Sequence, residues 1–70
     1  MMQHSLKGQP YIELNKALKL YNMVATGGEA GLLIASGEVL VNGQAEFQKR
    51  KKLREGDTVQ LGTLKLKITA

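Results

Sequence analysis

The chain has 70 residues, which is enough for one domain and too few for two independent hydrophobic cores. Ten Lys and Arg residues against six Asp and Glu residues give a formal net charge of +4, which favours a polyanionic partner. The chain lacks cysteine, which excludes a disulfide framework and a thiolate zinc site and fits a reducing cytoplasm. No apolar stretch approaches the roughly 18 residues that a membrane span needs.

The first ten residues are polar and end at Pro10, the single proline of the chain. Because chain termini are usually poorly ordered, we expect residues 1–10 to form a mobile polar leader and residues 11–70 to form one domain. His4, the single histidine, falls in this leader, and we expect its side chain to be solvated.

A first amphipathic helix is predicted from Leu14. Apolar residues recur there at positions i, i+3, i+4 and i+7, which form one face of a helix. Lys16 and Lys19 are three residues apart and therefore project from neighbouring positions on the other side. They belong either to an ordinary solvated helix face or to a positively charged binding surface.

A second helix is predicted to begin at Thr26. Thr26 and Glu29 have the spacing of a capping box, in which each side chain accepts a hydrogen bond from the amide of the other residue. Gly37 occupies the position where a left-handed residue normally ends a helix. The glycine pair 27–28 fits either a tight turn before the cap or, at Gly28, a close backbone approach to a phosphate.

A hairpin is predicted after the second helix, because Asn42 and Gly43 form a favoured two-residue turn. Both faces of this hairpin are partly apolar. One face carries Val39 and Val41, and the other carries Leu40, Ala45 and Phe47.

A second hairpin is predicted around Gly62 and Thr63, because residues 58–61 and 64–69 alternate apolar and polar side chains in step. The predicted fold class is therefore α+β, with two packed helices against a small, mainly antiparallel sheet.

The two predicted hairpins are joined by a segment with five cations within six residues, which we call the basic loop (residues 49–54). Its cations are Lys49, Arg50, Lys51, Lys52 and Arg54. The run is either a solvated loop that aids solubility or a nucleic-acid contact, because crowded like charges need solvent or a polyanion. Leu53 is expected to anchor the loop to the core. We expect Tyr11, Tyr21 and Phe47 to lie in the core, which leaves no platform for base stacking.

Catalytic chemistry has little support in the sequence. A single histidine cannot supply a histidine-rich metal site, and the six carboxylates are scattered with no acid–base pair among them. We expect no enzymatic activity, no metal and no cofactor. A small hydrolase or nuclease is an alternative for which no base, nucleophile or metal ligand can be named.

Several motifs together resemble a known family. The segments TGGEA at 26–30, VLVNG at 39–43 and GDTV at 56–59 resemble the αL RNA-binding domain named after the fourth small-subunit ribosomal protein. LNKAL at 14–18 is similar to the first helix of that family, so the resemblance covers residues 11–61. It is strongest to stand-alone bacterial members, and it implies structured RNA, of the ribosomal or transfer class, bound across the helix pair and the adjoining loop.

The chain departs from the family pattern at four positions where many members have arginine or another basic residue. These positions hold Glu13, Gly27, Gly31 and Glu38. We therefore expect the positive surface to come from the first helix and the basic loop.

These observations favour a non-catalytic, cytoplasmic bacterial protein that binds structured RNA and no membrane. The predicted RNA contacts are Lys16, Lys19, Gly28, Lys49, Arg50, Lys51, Lys52 and Arg54. The alternative is an accessory module that binds a protein within a ribosome-linked or RNA-modifying assembly, through the hairpin face at Val39 and Val41.

Overall fold

The computed structural model describes residues 1–70 and contains two helices, a five-stranded sheet and a two-stranded sheet. In chain order the elements are β1 (Met2–Ser5), β2 (Ile12–Glu13), α1 (Leu14–Leu20), α2 (Gly27–Ala35), β3 (Val39–Val41), β4 (Gln44–Ala45), β5 (Lys52–Leu53), β6 (Thr58–Leu61) and β7 (Leu64–Thr69). Neither helix has the length and apolar character that crossing a membrane requires.

The larger sheet has the strand order β1-β7-β6-β3-β4. All neighbouring strands in it are antiparallel except β1 and β7, which are parallel. Strands β2 and β5 form the separate two-stranded sheet. The predicted α+β class, with two helices against a mainly antiparallel sheet, is confirmed.

Both predicted hairpins form in the expected register. Leu40 faces Ala45 across the first turn, where Asn42 and Gly43 have φ values of 54° and 84°. Two consecutive positive φ values match the twist of the flanking strands and are accessible to Asn and Gly at low cost. In the second hairpin, Leu61 faces Leu64 and Val59 faces Leu66 as predicted. Leu64, which the alternation placed on the inner face, is nevertheless exposed, because it lies next to the turn.

The amino-terminal segment is part of the fold, which corrects the expected leader at residues 1–10. Met2–Ser5 pairs with β7, and the amide of Leu6 donates to the carbonyl of Thr69 at 2.9 Å. The side chain of Leu6 is buried in the core. His4 is half-buried rather than solvated, and its Nδ1 lies 2.5 Å from the hydroxyl of Tyr21. A parallel pairing between the two ends of a chain leaves no local sequence signal.

The core lies between the helix pair and one face of the larger sheet, and all of its 14 buried residues are apolar. Val39 and Val41 belong to it, with 0% and 7% of their surfaces exposed. The chain itself therefore covers the hairpin face that the protein-interaction alternative requires. The prediction that Val39 and Val41 bind a protein partner is wrong. The opposite face is the open one, since Ala45 and Phe47 are exposed.

The second helix begins and ends at the predicted residues, with one change in its cap. The hydroxyl of Thr26 accepts from the amide of Glu29 at 3.1 Å, as expected. The carboxylate of Glu29 accepts from the amide of Ala25 at 2.6 Å, one residue before the predicted donor. At the other end Gly37 has a φ of 81°, and its amide donates to the carbonyl of Ile34.

Candidate nucleic-acid interface

The basic loop is held against the start of α1 by backbone hydrogen bonds. The amide of Leu14 donates to the carbonyl of Lys51 at 2.9 Å, and the amide of Asn15 donates to the carbonyl of Lys49 at 3.1 Å. The first amides of a helix need such partners, and Glu13 at the N-cap provides none from its side chain. Leu53 is fully buried and anchors the loop to the core, as predicted. The loop therefore has a fixed position relative to α1.

Two lysines from different elements lie over one face of α2. A Cβ atom on Gly31 would lie 3.8 Å from the Nζ atom of Lys49, and one on Gly27 would lie 3.9 Å from the Cδ atom of Lys19. Gly27 and Gly31 are four residues apart and therefore share a helix face. Helix α1 and the basic loop therefore both carry positive charge to this face of α2.

Two other cations of the basic loop lie on an aromatic ring at a separate place. The Nζ of Lys52 is 5.0 Å from the centre of the Tyr11 ring, and the Cζ of Arg54 is 5.6 Å from it. Arg54 also donates a hydrogen bond to the carbonyl of Pro10 at 3.2 Å. Lys16 lines a shallow hollow together with Tyr11, so it belongs to this group.

The predicted contact residues therefore form two groups rather than one cluster. Lys19 and Lys49 lie over α2 at Gly27 and Gly31, whereas Lys16, Lys52 and Arg54 lie around Tyr11. Gly28 is exposed at the start of α2, and neither lysine lies against it. Helix α1 connects the groups and is about 10 Å long. Arg50 is exposed in the turn of the basic loop, and the side chain of Lys51 is half-buried.

Nearly all of these cations lack an acidic partner. The chain has a single ion pair, in which the Nζ of Lys16 lies 3.9 Å from a carboxylate oxygen of Glu13. The ammonium side is well exposed, and such pairs contribute little to stability. Six of the seven cations named above, all except Lys16, therefore have no acidic partner within the chain.

Sequence reasoning missed the exposure of Phe47, which was expected in the core. Its side chain is 63% exposed and packs on Gly37 at the end of α2. The alternation of the hairpin could have indicated this exposure, because it places Phe47 on the same face as Leu40 and on the face opposite to the buried Val39. Tyr11 and Tyr21 are also only half-buried.

Comparison with known proteins agrees with this fold. Residues 5–69 match the S4 domain family. YbcJ of Escherichia coli, whose name marks it as a candidate RNA-binding protein, is 36% identical over 70 residues, with both chains fully covered, and YbcJ of Shigella flexneri matches equally well. The solution structure of E. coli YbcJ is described as revealing an αL motif involved in RNA binding. It superposes with a TM-score of 0.76, covering 100% of this chain and 89% of that one at 36% identity. The chain therefore belongs to the S4 domain family, the family of the αL RNA-binding motif.

Proposed function

We propose that this protein binds structured RNA, of the ribosomal or transfer class, and that it acts as a binding module rather than an enzyme. The observation that supports this most is the pair of hydrogen bonds from α1 to the carbonyls of Lys49 and Lys51. They fix the basic loop beside the lysines of α1, so that positive charge is presented on a rigid scaffold. YbcJ of E. coli, which is 36% identical to this chain over 70 residues, is described as an RNA-binding protein, and this also supports RNA binding.

The two groups of cations suit a folded RNA better than an extended strand. One group lies over α2 and the other lies around Tyr11, and both are held on the same rigid helix α1, so the ligand must present phosphates at matching positions. Lysines contact phosphates as point charges, and the guanidinium groups of Arg50 and Arg54 can make bidentate contacts. Such contacts fix position without reading bases, so specificity comes from RNA shape.

The start of α2 adds two backbone donors to this surface. The cap of Thr26 occupies the amide of Glu29, and the amide of Ala30 donates to the carbonyl of Thr26. The preceding amides of Gly27 and Gly28 have no intrahelical acceptor, because they precede the first helical hydrogen bond. Gly28 is exposed and has no Cβ, so a phosphate can approach its backbone closely.

The proposal places the protein in the bacterial cytoplasm, where structured RNA is synthesised and used. The lack of cysteine is in keeping with that reducing compartment.

The test is a binding titration against a structured RNA hairpin, a DNA duplex and heparin, each at low and physiological salt. The informative variant carries Lys49→Ala and Lys52→Ala, which removes one cation from each group. Its matched control carries Lys65→Ala and Lys67→Ala, which removes the same charge from β7.

The expected result is a preference for RNA over DNA and heparin that the first variant loses and the control retains. Equal loss in both variants would mean that net charge alone drives binding. Indifference among the three polyanions would contradict recognition of RNA.

A further inference from the structure

One aromatic side chain beside the basic loop has no partner that covers it. Phe47 is 63% exposed, although burying a phenylalanine side chain stabilises a small domain. The other two aromatic residues are engaged, since the Tyr21 hydroxyl contacts His4 and the Tyr11 ring lies under Lys52 and Arg54. Phe47 thus presents the one open aromatic surface of the chain.

The ring of Phe47 is held in place by packing against the backbone at Gly37. A Cβ on Gly37 would lie 3.3 Å and 3.4 Å from its Cε1 and Cζ atoms, so the ring packs directly on glycine backbone. The chain on either side is also fixed, because the amide of Glu46 donates to the carbonyl of Val39 and the amide of Gln48 donates to the carboxylate of Glu46. A ring that is already ordered loses little entropy when a ligand stacks on it.

The ring lies just beyond the end of α2, and a cation of the basic loop lies over α2 itself. Phe47 packs at Gly37, and Lys49 lies over Gly31, six residues earlier in the chain. Phe47 and Lys49 are also only two residues apart in the chain, so their Cα atoms are at most about 7 Å apart. A nucleic-acid strand with a phosphate at Lys49 therefore has neighbouring nucleotides within reach of the ring.

We infer that Phe47 stacks on an unpaired base next to the RNA that the basic loop holds, and that it gives a preference for helices interrupted by a bulge or loop. This inference rests on the proposed function. Bases inside a duplex are already stacked on their neighbours, whereas bases in bulges and loops offer free faces to aromatic side chains. An apolar protein surface is a poorer occupant, because it would leave the neighbouring cations unmatched.

The first test compares a fully paired RNA hairpin, closed by a non-nucleotide linker so that it has no loop bases, with the same hairpin carrying a single bulged nucleotide. Phe47→Ala is expected to weaken binding of the bulged RNA about 5- to 150-fold, the effect of losing one stacked base. Binding of the paired hairpin should change less than about twofold by the same reasoning. Phe47→Trp should keep or strengthen the preference, because its larger ring also stacks.

The second test uses fluorescence, since the natural chain contains no tryptophan. Phe47→Trp places a single indole at the proposed stacking position, and bulged RNA is expected to quench its emission. Leu64→Trp is the control, because Leu64 is also exposed but lies in the second hairpin, beside Met1 and Met2 rather than the basic loop. Its emission should not respond to RNA.

The outcomes separate this inference from the proposed function. If the bulged and paired hairpins lose affinity equally on Phe47→Ala, or neither does, stacking is excluded while RNA binding stands. If Phe47→Trp shows no quenching under saturating bulged RNA, stacking is likewise excluded. If the natural protein binds neither hairpin, the proposed function itself fails.

Discussion

Two asparagines at opposite ends of α1 illustrate how one residue type can stabilise or destabilise the same helix. The Oδ1 atom of Asn15 is buried without a hydrogen-bond partner, which costs free energy. We predict that Asn15→Ala raises the free energy of unfolding by about 1 kcal/mol, since it removes that atom and improves helix propensity. Urea denaturation monitored by circular dichroism measures the change.

Asn22 follows α1 with a φ of 56°, in the left-handed region that asparagine tolerates better than alanine. Asn22→Ala is therefore expected to lower the free energy of unfolding by about 1 kcal/mol, opposite in sign to the change at Asn15. Asn22→Gly should restore stability, because glycine adopts this conformation freely. A destabilised Asn15→Ala variant would show that the Asn15 amide has a partner.

Leu6 tests whether the amino-terminal segment contributes to the folded state. Only 7% of its surface is exposed, and it packs in the shared core. Leu6→Ala is predicted to lower the free energy of unfolding by about 3 kcal/mol, as in other buried leucine truncations. The control is Gln3→Ala on the exposed side of β1, which should change stability by less than about 0.5 kcal/mol. Equal, small effects of both substitutions would mean that this segment is not packed in solution.

Among the elements, α2 has low intrinsic stability because three of its nine residues are glycine. We predict that Gly31→Ala stabilises the protein by about 0.5–1 kcal/mol, since a Cβ there makes only ordinary contacts with Lys49. RNA affinity should stay unchanged. Gly37→Ala should have the opposite effect on stability, because Gly37 has a φ of 81° and the Phe47 ring lies 3.3 Å from the added atom. Thermal denaturation of both variants checks the signs.

A further substitution at the same position of α2 tests the role of Lys49. Gly31→Glu would place a carboxylate beside the Lys49 ammonium and should weaken RNA binding while the fold persists. If Gly31→Ala alone already abolished RNA binding, the ligand would have to approach the helix backbone more closely than Lys49 does.

The elements that could be predicted from the sequence are those defined by neighbouring residues. Thr26 with Glu29, and Asn42 with Gly43, fix a helix start and a hairpin register through local hydrogen bonds and allowed backbone angles. Strand β1 was not predicted, because its partner β7 lies at the other end of the chain. Strands β2 and β5 were not predicted, because a strand of two residues shows no periodicity.

The candidate interface was predictable in composition and less so in arrangement. The sequence identified the cations, but not that Lys49 lies over α2 while Lys52 and Arg54 lie on Tyr11. That separation depends on the two-residue pairing of β2 with β5, which was not predicted. Phe47 was predicted to be buried because of its hydrophobicity, although its position in the strand alternation places it on the open face of the hairpin.

The surface charge of the protein as a unit predicts a strong salt dependence of binding. Every phosphate neutralised by a cation releases counterions, so the logarithm of affinity falls linearly with the logarithm of salt concentration. Contacts by the five cations of the basic loop alone give a slope of about −4.5 for duplex RNA by the double-strand rule, or about −3.5 for a single strand. Engagement of Lys16 and Lys19 as well steepens the duplex value to about −6.

The same titration assigns individual contacts across the surface. Lys49→Ala and Lys52→Ala, made separately, should each reduce the slope by about 1, because the two groups of cations contact different phosphates of one ligand. Lys65→Ala on β7 should leave the slope unchanged. A slope that responds to Lys49→Ala but not to Lys52→Ala would confine the interface to the α2 group. The cations around Tyr11 would then serve the local packing of β2 and β5 instead of RNA.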